Sequence, residues 1–114
     1  MKNVERMAAQ GDLLVMRVDA LPSGLTEEKH TGHIVAAHSE TGHHHIVECH
    51  QTHEARLFRS TDPFTCYLQL AGAGAEVVHH RPFDTHETLS LGAGLWLLRN
   101  QREYEPEGWR KARD

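Results

Sequence analysis

The sequence predicts an all-β protein, folded as a small barrel or a jelly-roll-like sandwich of about eight short strands. Short β-prone runs of five to seven residues recur along the chain, and turn residues such as Gly, Pro, Asn and Asp separate them. The length of 114 residues, with 39% hydrophobic and 25% charged residues, is typical of one globular unit. We therefore expect a single β-rich domain over residues 1–114.

Turn residues set the bounds of each predicted strand. The first strand follows a Gly11-Asp12 turn, and the polar stretch Thr26–His30 predicts a loop after it. The second and third strands are separated only by Ser39-Glu40-Thr41-Gly42, which predicts a hairpin. The predicted strands are Leu13–Val18, His33–His38, His43–Glu48, Ala55–Arg59, Phe64–Leu70, Ala75–His80, His86–Leu91 and Leu95–Asn100. Pro106 then suits the first turn of a short C-terminal helix that carries Trp109 and Arg113.

Charge and hydropathy exclude two large classes of function. A formal net charge of −4 without a basic stripe argues against nucleic-acid binding. No apolar stretch approaches the roughly 20 residues that span a bilayer, and the charged start is unlike a signal peptide. We expect a cytoplasmic protein, and a symmetric homodimer is compatible with a domain of this kind.

Histidine is the unusual residue of this chain, with eleven copies, eight of which fall between His30 and His53. Neutral imidazole is the commonest nitrogen ligand for metals in proteins. His43 and His45 share one face of a strand because side chains alternate, and their Cα atoms would lie roughly 6.6 Å apart. Two imidazoles at that spacing can bind one ion with metal–nitrogen distances of about 2.0–2.1 Å. We therefore predict a metal site that contains His43 and His45.

Further ligands are expected from neighbouring strands. His38 lies across the predicted hairpin, and Glu40 in its turn would offer an oxygen. We favour His86 as the later ligand because it opens a strand. The alternatives further along the chain are His79, His80, His53, Glu54 and, beside His50, Cys49. For His30, His50 and His53, a surface or core role is the simpler expectation, and Cys49 and Cys66 are expected to be thiols without a bridge.

This ligand set favours a transition metal. Several imidazoles with at most one carboxylate suit zinc first, with iron, nickel or copper as alternatives. Magnesium and calcium prefer sites made entirely of oxygen ligands. A closed coordination shell would be structural and an open position would be catalytic, so the sequence leaves it open whether the protein is an enzyme.

Three segments resemble a family of small bacterial proteins to which no function is assigned. The first is Gly11-Asp12-Leu13-Leu14 with Val18-Asp19-Ala20-Leu21-Pro22, and the last is Gln101–Glu107. Between them, residues 37–45 resemble the family's Ala-His-x-Glu-x-Thr-Gly-His-x-His segment, one residue shorter before the threonine. The resemblance implies that His38, His43, His45 and His86 are the candidate site residues, and it implies no reaction.

A fainter similarity connects the chain to the cupins, which are small metal-binding β-barrels. His43, His45 and Glu48 match the residue types of the first cupin motif, and His86 matches the later histidine. Glu48 follows His45 too closely, however, and on a regular strand it would face away from that histidine. The similarity therefore implies architecture only.

Two other functions compete with the metal site. The aromatic and arginine residues of Tyr104–Arg110 are types found at interface hot spots, which indicates an interaction module or accessory subunit as the alternative. A metal buffer ranks last, because the histidines alternate with Ile and Val in strand-like runs rather than lying in a flexible tract. Nucleophilic catalysis has little support, since the chain has no Gly-x-Ser-x-Gly elbow.

Overall fold

A computed structural model describes residues 1–37, 44–79 and 87–101. Within these ranges the chain forms eleven strands and one 3-10 turn at Thr52–Glu54. The strands are β1 Lys2–Val4, β2 Met7–Gln10, β3 Leu13–Val18, β4 Thr26–Glu28, β5 His33–Ala37, β6 His45–Cys49, β7 Ala55–Arg59, β8 Thr65–Leu70, β9 Ala75–His79, β10 Leu89–Leu91 and β11 Gly94–Asn100. No helix among the described residues is long and apolar enough to cross a membrane.

The strands form two sheets. The five-stranded sheet has the order β1-β10-β9-β6-β5, and the six-stranded sheet has the order β2-β3-β11-β8-β7-β4. Within the described ranges every strand pair is antiparallel except β1 with β10. The all-β prediction is confirmed and the closed barrel is wrong, because each sheet ends in edge strands instead of continuing into the other.

The hydrophobic core lies between the two sheets. Val47, Val77 and Leu91 contribute from the five-stranded sheet, and Leu68 and Trp96 contribute from the six-stranded sheet. Side chains of each strand alternate between this core and the outer surface, as the period of a strand requires. A polar residue is therefore buried in the core when its side chain lies on the inward face of either sheet.

Trp96 on β11 is fully buried and anchors the six-stranded sheet. Its indole N–H donates to the carbonyl oxygen of Gly92 at 2.9 Å, and the guanidinium of Arg17 lies 4.3 Å from its ring centroid. Arg17 also donates to the carbonyl oxygens of Glu5 and Ala93, both at 2.9 Å. This arginine therefore joins three segments of chain at one end of the sheet.

Each of the eight predicted runs overlaps a strand, and two of them, Leu13–Val18 and Ala55–Arg59, have the predicted bounds. The hairpin is confirmed, since β5 pairs with β6 in antiparallel register with an irregularity between Val35 and Ala37. Residues Thr26–Glu28 form β4 rather than the predicted loop. All three are exposed, so no alternation of apolar residues marked them. The predicted C-terminal helix lies outside the described residues.

Candidate metal centre

Four strand ends meet at one end of the five-stranded sheet. β6 begins at His45 and β9 ends at His79, and these two residues are directly paired. β5 ends at Ala37, which pairs with His45 on its other side. β10 begins at Leu89, opposite Val77 of β9. The segments of residues 38–43 and 80–86, which contain the other predicted ligands, are therefore joined to the described fold at neighbouring strand ends.

His45 is buried on the core side of the five-stranded sheet. It lies two residues before Val47, whose side chain is part of the core, so both residues occupy the same face of β6. The imidazole of His45 stacks on that of His79, with ring centroids 4.3 Å apart and ring planes 9° from parallel. Both histidines are buried, at 6% and 5% exposure respectively.

Gln10 reaches this pair from the opposite sheet. It is the last residue of β2 and is only 1% exposed. Its Nε2 atom donates to the carbonyl oxygens of Val77 and Glu87, both at 2.9 Å. Its Oε1 atom lies 2.8 Å from Nδ1 of His45. Gln10, His45 and His79 therefore form a buried polar cluster that bridges the two sheets, which we call the Gln-His-His cluster.

The stacked geometry limits what the two imidazoles can bind together. A metal ion lies in the plane of each imidazole that binds it, along the electron pair of the ring nitrogen. Two nearly parallel rings direct those electron pairs side by side instead of toward a common point. In this arrangement one ring of the pair is suited to bind an ion. The other ring is suited to hold that first ring in place by stacking on it.

Of the four predicted ligands, only His45 lies within the described residues. His38, His43 and His86 lie outside them, as do the alternatives Glu40 and His80. His79, which the sequence placed second to His86, lies directly beside His45. Within residues 1–37, 44–79 and 87–101, no three His, Cys, Asp or Glu side chains come close enough together to hold a metal ion.

The other candidates in the described ranges lie elsewhere. His30 accepts a hydrogen bond from the backbone N–H of Gly32 at 2.9 Å, and its Nε2 lies 2.6 Å from the carbonyl oxygen of Ala55. These contacts connect the loop before β5 to β7 and give His30 a structural role. His50 is exposed and lies 3.7 Å from a carboxylate oxygen of Glu76.

Neither cysteine is placed to bind an ion with His45. Cys49 is at the far end of β6, about 13 Å from His45 at the rise of a strand. Burial raises the pKa of the Cys49 thiol. Cys66 is buried in the core, and burial raises its pKa to about 11. Thiols with raised pKa values are poor nucleophiles and poor ligands near neutral pH, because the thiolate is the reactive form.

Glu48 lies on the outer face of β6, because it is three residues from His45 and the side chains alternate. It is exposed, whereas His45 is buried. The structure therefore offers no equivalent of the cupin glutamate at this position, as the spacing in the sequence already indicated.

Sequence reasoning missed Gln10. The run Met7–Gln10 alternates exposed and buried residues, but the buried positions are Ala8 and Gln10, which are weak apolar signals. Nothing local marks a glutamine as the contact of a histidine 35 residues later in the chain. The contact follows from how the two sheets pack, which is a non-local property.

Comparison with known proteins adds a family without a stated activity. A family model described as a domain of unknown function, DUF8820, matches residues 9–101. No curated protein and no solved structure matches the chain. The matched range begins just before Gln10 and includes both histidines of the cluster.

Proposed function

The chain belongs to the DUF8820 family, and we propose that it binds a transition metal ion at the end of the five-stranded sheet that contains His45 and His79. His45 is the ligand supplied by the start of β6, and His38, His43 and His86 are the proposed additional ligands. Zinc is the first expectation for a set of imidazole ligands, with iron, nickel and copper as alternatives.

The observation that supports this proposal most is the position of His45 among the strand ends. Ala37 pairs with His45, and His38 is the next residue along the chain. His44 precedes His45 at the start of β6, and Glu87, the residue after His86, supplies a carbonyl oxygen to Gln10. Each of the three proposed ligands is thus one peptide bond from a residue of this region: Ala37 and His44 neighbour His45, and Glu87 contacts Gln10.

Burial of the Gln-His-His cluster supports a functional role for this end of the sheet. Polar groups in a protein interior cost free energy unless hydrogen bonds compensate, so an apolar set of side chains would be the simpler core. The chain instead places an amide and two imidazoles there, with the hydrogen bonds of Gln10 in good geometry. Buried polar groups that converge in this way are common at functional sites.

The stack assigns different roles to the two histidines. We propose that His45 binds the ion and that His79 holds the ring of His45 in place, since the nearly parallel planes do not converge on one point. Whether the ion is structural or catalytic depends on the number of open coordination positions.

The first experiment is elemental analysis of untagged protein purified without chelators. The expected result is about one zinc, iron, nickel or copper ion per chain, and loss of that ion in the His43→Ala/His45→Ala double variant. His53→Ala is the matched control, because His53 is exposed in the 3-10 turn and should leave the metal content unchanged. Circular dichroism checks that each variant is folded.

Two results would contradict the proposal. One is full metal occupancy in the double variant, and the other is no metal in the wild type even after reloading. His79→Phe separates the proposed roles, because phenylalanine keeps a ring for stacking and has no ring nitrogen. Retained metal in His79→Phe supports a packing role, whereas loss of metal from a folded His79→Phe variant makes His79 a ligand.

A further inference from the structure

The side-chain amide of Gln10 has only one orientation that its surroundings allow. Its Nε2 atom contacts two carbonyl oxygens, those of Val77 and Glu87, at 2.9 Å each. Carbonyl oxygens only accept hydrogen bonds, so the amide group that faces them must be the NH₂ group. If the amide turned over, its oxygen would face two other oxygens and both hydrogen bonds would be lost. The Oε1 atom is therefore the one that faces His45.

This orientation determines the position of the ring proton of His45. An amide oxygen has no hydrogen to donate, so the 2.8 Å contact between Oε1 and Nδ1 is a hydrogen bond only if Nδ1 carries the proton. In neutral imidazole one nitrogen is a donor and the other carries the electron pair. The electron pair of His45 is then on Nε2.

We propose that Gln10 is the positioning residue of this site: it holds His45 as the Nδ1–H tautomer, so that Nε2 is the ring atom that binds the metal ion. The tautomer of the neutral ring follows from its contact with Gln10, and only its purpose rests on the proposed function. Histidines that bind metals commonly donate their other ring N–H to an oxygen, which fixes the tautomer and the ring orientation. Gln10 provides that oxygen without adding a charge to the core.

Gln10 also connects the ring of His45 to the backbone of the five-stranded sheet. Val77 is on β9 and Glu87 precedes β10, and both carbonyl oxygens accept from the same NH₂ group. The amide whose oxygen contacts His45 is therefore held in place by two hydrogen bonds to backbone carbonyl oxygens. This arrangement limits rotation of the imidazole more than a single flexible acceptor would.

His30 serves as an internal reference, because its hydrogen bonds require the opposite tautomer. The backbone N–H of Gly32 donates to Nδ1 of His30, so Nδ1 carries the electron pair. Its Nε2 lies 2.6 Å from the carbonyl oxygen of Ala55 and must then carry the proton. The structure thus assigns opposite tautomers to His30 and His45 in one molecule.

The test is a long-range ¹H–¹⁵N correlation spectrum of the metal-free, ¹⁵N-labelled protein at about pH 8, where imidazole is neutral. Such spectra distinguish a protonated from an unprotonated ring nitrogen. Signals are assigned by their absence from His45→Asn and His30→Asn. We expect Nδ1–H for His45 and Nε2–H for His30. A wild-type spectrum with Nε2–H, or with a mixture of tautomers, for His45 would overturn the proposal without any variant of Gln10.

A variant of Gln10 tests whether that residue determines the tautomer of His45. Gln10→Met removes the acceptor, and His45 should lose its single Nδ1–H tautomer. Gln69→Met is the matched control, because Gln69 is exposed on β8 and makes the same chemical change away from the cluster. An unchanged His45 tautomer in a folded Gln10→Met protein would overturn the role of Gln10.

Metal binding provides the second measurement, with Co²⁺ as the probe. We expect Gln10→Met to bind Co²⁺ about 10- to 100-fold more weakly than wild type, as is typical when the partner of a ligand histidine is removed. Equal affinity in wild type and Gln10→Met would overturn the positioning role. An Nδ1–H tautomer in a protein that takes up no metal would contradict the proposed function alone. Metal uptake that requires His45, with an Nε2–H tautomer, would contradict the role of Gln10 alone.

Discussion

Replacing Gln10 by methionine should destabilise the fold strongly, although the two side chains are similar in size. The variant leaves the carbonyl oxygen of Val77 and the Nδ1 atom of His45 buried without the contacts that Gln10 gives them. Each such group costs about 1–3 kcal/mol. The Glu87 carbonyl is only partly buried and can contact water, so it adds less. The two buried groups together therefore cost about 2–6 kcal/mol, a large share of the roughly 5–15 kcal/mol that stabilises a domain.

Urea denaturation measures this loss directly. The fully buried Trp96 offers a fluorescence signal that should change on unfolding. In thermal melting, 1 kcal/mol corresponds to about 4 °C for a chain of this length, so the melting temperature should fall by roughly 8–24 °C. Gln69→Met, at an exposed position, should change the free energy of unfolding by no more than about 0.5 kcal/mol. A loss below about 1 kcal/mol in Gln10→Met would refute the contribution assigned to these buried hydrogen bonds.

Two further predictions concern the backbone and the core. Gly74→Ala should cost more than about 3 kcal/mol, because φ is +79° and the new Cβ would collide with the carbonyl oxygen of Leu91. Gly24→Ala has a similar φ of +82° but open space around it, so thermal melting should show a loss of only about 1 kcal/mol, and equal losses would refute the role of the collision. The second prediction concerns Cys66, whose pKa is raised from 9.0 to about 11 by burial. The folded chain keeps a thiol proton that the unfolded chain loses, so stability is full below pH 9 and falls between about pH 9 and 11. The slope from this thiol is at most about 1.4 kcal/mol per pH unit, and urea titrations across this range should show a smaller slope in Cys66→Ala. The same slope in that variant would contradict the prediction.

The strands that the sequence predicted best are those with turn residues at both ends and apolar residues that face the core. Leu13–Val18 follows the Gly11-Asp12 turn, and Ala55–Arg59 ends before Ser60. The missed strands are of the opposite kind. β4 has three exposed residues and forms because β7 offers it an edge, which no local pattern can indicate.

The same distinction applies to the candidate site. The number of histidines and the strand periodicity made His45 a candidate ligand, because both are local properties of the sequence. The preference for His86 over His79 rested on which residue opens a strand, whereas the pairing of β6 with β9 is what brings His79 to His45. Gln10 could not be predicted, since its contact depends on the other sheet packing over this end of the core.

The parallel pairing of β1 with β10 has a consequence for the order of folding. Lys2, Asn3 and Val4 pair with Leu89, Ser90 and Leu91, so the edge of the five-stranded sheet joins residues from nearly opposite ends of the described chain. Contacts between residues so distant in sequence carry a large loop-closure cost, which slows folding and delays their formation. A three-residue strand with one buried side chain also repays little of that cost. We therefore expect β1 to attach last in refolding, and its amide hydrogens to exchange with solvent before those of the central strands.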